Sequence, residues 1–131
     1  MTVTETSIRA YFDAFNRHDL DRMLSTLADD VRHDINEGST EVGRDAFRAF
    51  KMHMDACYRE QITDLVIMVN GVHGAAEFTC SGTYFGTDTG LPEATGQLYS
   101  IPAAAFFEVH QGKISRVTSY YNLRNWLTAI A

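Results

Sequence analysis

The chain has 131 residues, of which 45% are hydrophobic and 21% charged, values that predict one soluble globular domain over residues 1–131. A net charge of -6, with 11 scattered Lys and Arg residues, argues against a nucleic-acid partner, because phosphate binding requires clustered positive charge. No apolar run approaches the ~20 residues that span a bilayer, and residues 1–12 lack the features of a secretory signal. We therefore expect a cytoplasmic protein with no membrane partner.

The first part of the chain has the apolar spacing of helices. Residues spaced i, i+3, i+4 and i+7 predict a first helix over 5–17, and they are Ile8, Tyr11, Phe12 and Phe15. Asp19 can cap a second, short helix, whose predicted buried stripe is Leu20, Met23, Leu24 and Leu27. A third helix is predicted from Gly43 to about residue 57, with its apolar positions at Phe47, Phe50, Met54 and either Cys57 or Tyr58.

Extended structure is predicted between and after these helices. A short strand follows the second helix, around residues 31–36. The later pattern predicts four long antiparallel strands, at residues 62–69, 72–84, 98–109 and 113–121. Tight turns are expected at Asn70-Gly71 and Gln111-Gly112, and the segment FGTDTGLPEATG is expected to be a loop. Asn122 can cap a closing helix over 123–130. Such an order predicts an α+β fold, with helices on one face of a curved sheet.

The stretches YFDAFNRHDLDRMLSTLADDV, GTYFGTDTGLPEATGQ and AAAFFEVHQGKISRVTSYYN resemble the SnoaL-like and ketosteroid-isomerase-like families. The resemblance covers nearly the whole chain. It implies the cone-shaped nuclear transport factor 2-like fold, with three N-terminal helices packed on a curved, mostly antiparallel sheet and a short C-terminal helix. Members of that fold include isomerases, polyketide cyclases, epoxide hydrolases, dehydratases and non-catalytic proteins, so function has to be argued from the site.

The resemblance also implies positions for catalytic groups. Aligning AFNRHDLD on the ketosteroid isomerases, whose pKa-tuned carboxylic acid is a known example, places Tyr11 at their oxyanion-binding tyrosine. An ungapped continuation places the base at Ile35, one residue after Asp34. The oxyanion carboxylic acid falls among Ala103, Ala104 and Ala105. Two of that family's three catalytic groups are therefore absent or displaced in this chain.

His33 and Asp34 are the candidate acid/base residues. In a strand, His33 shares a face with Val31 and Ile35, so it is predicted to enter the pocket while Asp34 faces out. A bulge would instead turn Asp34 inward, where an apolar setting raises the pKa of a carboxyl group. Tyr11 is the candidate hydrogen-bond donor to a substrate oxygen. The alternative for His33 and Tyr11 is a purely structural role in the core.

Aromatic and apolar side chains are expected to line a pocket for a flat hydrophobic ligand, or else to form a plain core. The candidate substrate-binding residues are Phe15, His53, Met54, Tyr58, Phe78, Tyr84, Phe107, Tyr121 and Trp126. On the strand over 72–84, the opposite face carries Glu77, Thr79, Ser81 and Thr83. Together with Thr118 and Tyr120, this flat and weakly charged face predicts a homodimer that packs through the sheet, which the resemblance also implies.

No cofactor or metal is predicted, because Cys57 and Cys80 lack zinc-type spacing and no phosphate-binding or nucleophile motif occurs. The two cysteines are expected to be buried thiols. The leading hypothesis is a cofactor-independent acid/base enzyme of the isomerase or cyclase type, acting on a small hydrophobic carbonyl compound that is steroid-like or polyketide-like. The alternative is a non-catalytic module that binds a small molecule or another protein.

Overall fold

The computed structural model describes residues 1–131 as helices packed on one curved, unclosed sheet. The helices are α1 Val3–Asn16, α2 Leu20–Ser25, α3 Arg44–Cys57 and α4 Leu123–Ala129. The strands are β1 Leu27–Asp34, β2 Thr40–Val42, β3 Tyr58–Asn70, β4 His73–Tyr84, β5 Gln97–His110 and β6 Lys113–Tyr121. The α+β class and the predicted order of helices and strands are confirmed. Strand β2 was not predicted from the sequence. No helix combines the length and the apolar character needed to cross a membrane.

The six strands lie in the order β2-β1-β6-β5-β4-β3. Strands β3 to β6 form an antiparallel meander, as predicted. Strand β1 pairs with β6 in parallel, with His33 opposite Val117, and β2 pairs with β1 in antiparallel orientation. The first strand of the chain therefore lies beside the last, and both contribute to the inner face of the sheet.

The predicted capping and turn chemistry is largely confirmed. The Asp19 carboxylate accepts from the Arg22 backbone N–H at 3.0 Å, and the Asn122 side chain accepts from the Asn125 N–H at 3.0 Å. Gln111 and Gly112 have φ angles of 52° and 75°, as a two-residue hairpin turn with both central positions at positive φ requires.

The structure corrects three predicted boundaries. Leu27 begins β1 rather than ending the stripe of α2, because the adjacent Thr26 carbonyl already accepts from the Ile114 N–H of β6 at 2.9 Å. Tyr58 begins β3 rather than ending α3. The first hairpin turn consists of residues 71 and 72, since Asn70 still pairs with His73 in the ladder.

A bulge in β3 keeps its apolar residues on one face. The pairing with β4 shifts between Thr63 and Val66, and Asp64 in this stretch has a φ of 55°. Ile62 before the bulge and Leu65 after it both pack against the core. Without the extra residue, the two-residue period would turn one of these apolar sets to the outer face.

Two groups of buried side chains occupy the space between the helices and the sheet. The larger group, which includes Ile8, Phe12 and Leu24, lies beneath α1 and α2. The smaller group includes Tyr58, Tyr84 and Trp126 and is covered by α4 and the loop after β4.

The end of α1 is tied to the edge strand β3 by one side chain. Asn16 Nδ2 donates to the Ile62 carbonyl at 2.9 Å, and Asn16 Oδ1 accepts from the Ile62 N–H at 2.8 Å. Because β3 is an edge strand, the Asn16 amide substitutes for the neighbouring strand that Ile62 lacks on this side.

We predict that Asn16→Ala lowers the free energy of unfolding by about 1 to 3 kcal/mol, since two partly buried hydrogen bonds are lost and backbone groups of Ile62 lose their partner. Asn16→Asp keeps the acceptor and loses the donor. Its free energy of unfolding should lie between those of wild type and Asn16→Ala. Urea denaturation measures both variants. An Asn16→Ala variant as stable as wild type would show that this clamp contributes nothing to stability.

Candidate functional site

A cavity of about 160 Å³ lies between the helices and the inner face of the sheet. It is lined by 23 residues, of which 18 are hydrophobic. The five polar lining residues are His33, Asn36, Lys51, Glu60 and Ser119. A mostly apolar wall with a few polar groups is typical of small-molecule sites.

His33 projects from β1 into this cavity, as the strand alternation predicts. Its ring lies against Phe47 and Phe50 of α3, with centroid distances of 4.8 Å to each. The residue is only 4% exposed, and the ring nitrogen Nδ1 is buried without a hydrogen-bond partner. Burial lowers the pKa of His33 to about 4, although the nearby Asp34 carboxylate opposes this effect. The imidazole is therefore neutral at pH 7.

Asp34 is directed away from the cavity. Its carboxylate accepts hydrogen bonds from Thr118 at 2.5 Å, Thr40 at 2.8 Å and Arg32 at 2.9 Å. Partial burial acts to raise the pKa of Asp34, but these hydrogen bonds outweigh it and lower the pKa to about 2. The pairing of β1 with β6 is irregular between Leu27 and Arg32, but Arg32, His33 and Asp34 pair in regular register with residues 116–118. The irregularity does not turn Asp34 inward, and His33, not Asp34, lines the cavity.

Tyr11 reaches the cavity from α1. Its ring packs edge to face with Phe12, Phe47 and Phe107, at centroid distances of 5.3, 6.3 and 5.4 Å. Burial raises the pKa of Tyr11 far above that of an exposed phenol. The hydroxyl therefore stays protonated at every physiological pH and is available as a hydrogen-bond donor.

The structure brings together some of the other predicted site residues and separates the rest. Those that line the cavity are Phe15, Met54, Phe78, Tyr121 and Trp126. Those that lie outside its wall are His53, Tyr58, Tyr84 and Phe107. Phe107 points inward as expected but is fully buried under α1. Tyr58 and Tyr84 stack on one another at 5.3 Å in the smaller buried group, and His53 contacts Asp88 near the protein surface.

Glu60 is a polar cavity residue that the sequence analysis missed. Tyr99 donates its hydroxyl hydrogen to the Glu60 carboxylate at 2.5 Å, and burial together with the Glu60 charge raises the pKa of Tyr99. The inner face of β3 carries every second residue of the strand, and its first three are Tyr58, Glu60 and Ile62. The signal was therefore present, but it was hidden because the predicted strand began at residue 62.

Lys51 and Asn36 were missed as well. Lys51 is 8% exposed. Its ammonium pairs with Asp55 at 2.7 Å and lies 4.1 Å from the centroid of the Phe15 ring. Asn36 Oδ1 accepts from the Tyr121 backbone N–H at 3.1 Å, while its Nδ2 is buried without a partner. Two residues that line the cavity, Asn36 and His33, thus each have a buried nitrogen without a hydrogen-bond partner.

Comparison with known proteins places the chain in a family. Residues 8–117 match the SnoaL-like domain, so the chain belongs to the SnoaL-like family. No curated protein matches it.

Among solved structures, it is similar to candidate polyketide cyclases from two bacteria. The Xanthomonas campestris protein is 46% identical, with a TM-score of 0.97 over 98% of this chain and 97% of that one. The Pseudomonas putida protein is 50% identical, with a TM-score of 0.96 over 100% and 99%. A nuclear transport factor 2-like protein of unknown function from Burkholderia pseudomallei is 19% identical, with a TM-score of 0.87 over 100% and 99%. This last likeness concerns the fold alone, and it agrees with the fold that the sequence predicts.

The low pKa of His33 makes the stability of the fold depend on pH. The unfolded chain binds a proton at His33 near pH 6.5, whereas the folded chain does so only near pH 4. Between these values the unfolded state holds more protons, so stability decreases as pH falls from about 6.5 to 4, by about 3 kcal/mol from this residue. Below pH 4 the His33 contribution is constant.

We expect His33→Gln to have a shallower decrease in unfolding free energy across this pH range, measured by urea denaturation at several pH values. His73→Gln, at an exposed histidine, is the control and should follow wild type. Parallel curves for wild type and His33→Gln would contradict a neutral, buried His33.

Proposed function

We propose that this protein is an acid/base enzyme of the isomerase or cyclase type, which binds a small hydrophobic carbonyl compound in the cavity and transfers protons without a cofactor. The observation that carries this proposal is that His33 and Asn36, which line the same apolar cavity, each have a buried nitrogen without a hydrogen bond of good geometry, Nδ1 and Nδ2 respectively. A buried polar group without a partner costs about 1 to 3 kcal/mol. A ligand whose donor-acceptor edge reached both nitrogens, after a small shift of the surrounding side chains, would recover that cost.

In this proposal, His33 is the base. Its imidazole is neutral at pH 7 and accepts a proton from the carbon next to the substrate carbonyl. The electron pair of that C–H bond moves into the carbonyl, and the resulting oxyanion accepts hydrogen bonds from the Tyr11 hydroxyl and the Asn36 amide. Donors placed where negative charge develops are a large source of rate enhancement.

Two outcomes are open to the enolate. In an isomerisation, His33 returns the same proton to a different carbon. In a cyclisation, the enolate carbon bonds to a second carbonyl carbon of the same substrate, whose oxygen then takes the proton from His33. The atoms balance in both cases, and neither route requires an oxidant or a metal.

Glu60 supplies a second polar end to the cavity. Its carboxylate is held by Tyr99 and can accept a hydrogen bond from a substrate hydroxyl. With His33 on β1 and Glu60 on β3, a ligand bound between them would be oriented across the inner face of the sheet.

Cavity size limits the ligand. An apolar engineered cavity of ~150 Å³ holds benzene, and this one is about 160 Å³. We therefore expect a ligand of about one ring to fit without rearrangement. A fused polycyclic compound would require the aromatic wall to move.

The test is turnover of a panel of enolisable ketones and short polyketide-like diketones. His33→Gln should reduce kcat/KM by ~10²-fold or more, as expected for loss of general acid/base catalysis, and Tyr11→Phe by a similar factor because an oxyanion donor is lost. Asp34→Asn tests the other candidate base; its amide oxygen can still accept from Thr118, so the strand pairing is kept and the variant should keep most of the activity. Activity that survives in His33→Gln but disappears in Asp34→Asn would reverse the assignment of the base.

One observation favours a second candidate function, a non-catalytic module that binds a small molecule. Ala103 and Ala105 line the cavity where the resemblance to ketosteroid isomerases implies a carboxylic acid. A panel compound that binds with micromolar affinity but is not turned over by the wild type would support this binding module.

We also propose a homodimer through the outer sheet face. Phe106 and Tyr120 are 40% and 56% exposed there, with ring centroids 5.8 Å apart. Val66 and Met68 of β3 continue the patch, at 46% and 55% exposed. A two-fold dimer that buries this patch would match the aromatic enrichment typical of interfaces.

Light scattering at micromolar concentration should give the mass of two chains. Phe106→Arg should shift the mass toward one chain, because it places a charge in the buried patch. Met52→Arg on α3, at a side chain that is also exposed, is the control and should leave the dimer intact. A wild-type mass of one chain at all concentrations would contradict the dimer.

A further inference from the structure

Three side chains with metal-binding atoms meet at the C-terminal end of α3. His53 and Cys57 are one helical turn apart, and Asp88 faces them from the loop that follows β4. One ligand atom from each lies within 4.8 Å of the other two, and His53 Nε2 is 2.8 Å from Asp88 Oδ1. None of the three lines the cavity.

We propose that His53, Cys57 and Asp88 form a binding site for a borderline divalent transition-metal ion, with Zn²⁺ as the best match. A nitrogen, a sulfur and an oxygen ligand suit Zn²⁺ and Co²⁺, whereas Mg²⁺ and Ca²⁺ require oxygen ligands. Three protein ligands leave the fourth tetrahedral position to water. This proposal is independent of the proposed function, because it uses a different set of residues.

The distances are compatible with metal entry. Ligand atoms around a tetrahedral Zn²⁺ are about 3.3 to 3.6 Å apart, given bond lengths of ~2.0 to 2.3 Å. The His53 to Asp88 pair, now in direct hydrogen-bond contact, must separate slightly. The Cys57 sulfur must approach by about 1 Å, which is within the range of a side-chain rotation.

The Asp88 carboxylate is already oriented as a metal ligand would be. Tyr58 donates its hydroxyl hydrogen to Oδ2 at 2.7 Å, which leaves Oδ1 directed at His53. Outer-shell hydrogen bonds of this kind fix ligating carboxylates in metal sites. Burial acts to raise the pKa of Asp88, but the hydrogen bonds from Tyr58 and His53 outweigh it, so Asp88 is a carboxylate.

Backbone contacts hold the loop against the helix. The Cys57 carbonyl accepts from the N–H groups of Phe85 at 3.0 Å and Gly86 at 3.1 Å, and the Asp88 N–H donates to the Tyr84 hydroxyl at 2.9 Å. A Cβ atom on Gly86 would lie 2.3 Å from the Ala56 carbonyl oxygen. This approach therefore requires glycine, and it fixes the distance between the two ligands on α3 and the one on the loop.

The local electrostatics favour a cation. The C-terminal end of a helix carries partial negative charge, and the last turn of α3 has no basic residue. His53 is 54% exposed, so an ion can enter from solvent. Metal binding would form a metal–sulfur bond and release the thiol proton to solvent.

The test is titration of the full chain, first treated with a chelator, with Co²⁺. We expect one equivalent to produce visible d–d absorption and a near-ultraviolet thiolate-to-cobalt charge-transfer band, and Zn²⁺ to displace both. Mg²⁺ and Ca²⁺ should not compete. Cys57→Ser should abolish the charge-transfer band, whereas Cys80→Ser, which changes the other thiol, should retain it.

Two further variants distinguish this three-ligand site from metal binding by a single surface histidine. His53→Gln replaces an exposed side chain and should fold normally by circular dichroism, yet bind Co²⁺ at least ~10-fold more weakly. Tyr58→Phe removes only the hydrogen bond to Asp88 and should weaken binding by ~10- to 100-fold. His110→Gln is the exposed control and should bind as wild type does. Absence of the charge-transfer band in wild type, its persistence in Cys57→Ser, or equal affinity for His53→Gln and wild type would overturn the proposal.

Discussion

The parallel pairing of β1 with β6 is the constraint on which the site depends. It joins residues near positions 33 and 117 of the chain, so no short segment specifies it. Once β1 lies beside β6, the two-residue period of the strand decides that His33 faces the helices and Asp34 faces the opposite side. Asp34 then reinforces the pairing, because its carboxylate accepts from Thr118 of β6. Asp34, outside the cavity, thus helps to keep β1 in the register that places His33 inside it.

The apolar wall determines the chemical state of the groups that it surrounds. Phe47 and Phe50 exclude water from the His33 ring, which favours the neutral imidazole, and the same exclusion keeps Tyr11 protonated. Polar groups held in this way cost stability in the empty protein. The aromatic packing of Tyr11 and Phe12 of α1 on Phe107 of the sheet compensates for this cost.

Patterns among neighbouring residues predicted the helices, strands and turns. Pairing between distant strands determined which residues face the cavity. The stripes of the first and third helices, the Asp19 cap and the turn at Gln111-Gly112 follow from a few neighbouring residues, and these were predicted correctly. The first hairpin turn lies one residue later than predicted. Leu27 was misplaced because the same apolar residue fits a helix stripe and a strand paired with β6. Glu60 was missed because β3 begins earlier than its β-branched residues suggest. The bulge at Asp64 was also invisible, since only pairing with β4 reveals the extra residue.

The central claim, that a neutral His33 meets the ligand inside the cavity, can be measured directly by ¹⁵N nuclear magnetic resonance of the imidazole side chains. A one-ring phenol, whose oxygen mimics an enolate, is the ligand to titrate. We predict a His33 signal typical of neutral imidazole at pH 7, a pKa of about 4 without ligand, and a saturable shift as the phenol binds. The signals of the other histidines should not respond to the phenol. A His33 whose pKa is not lowered from 6.5, or whose resonances do not respond to any ring-sized ligand, would contradict a neutral His33 that meets the ligand.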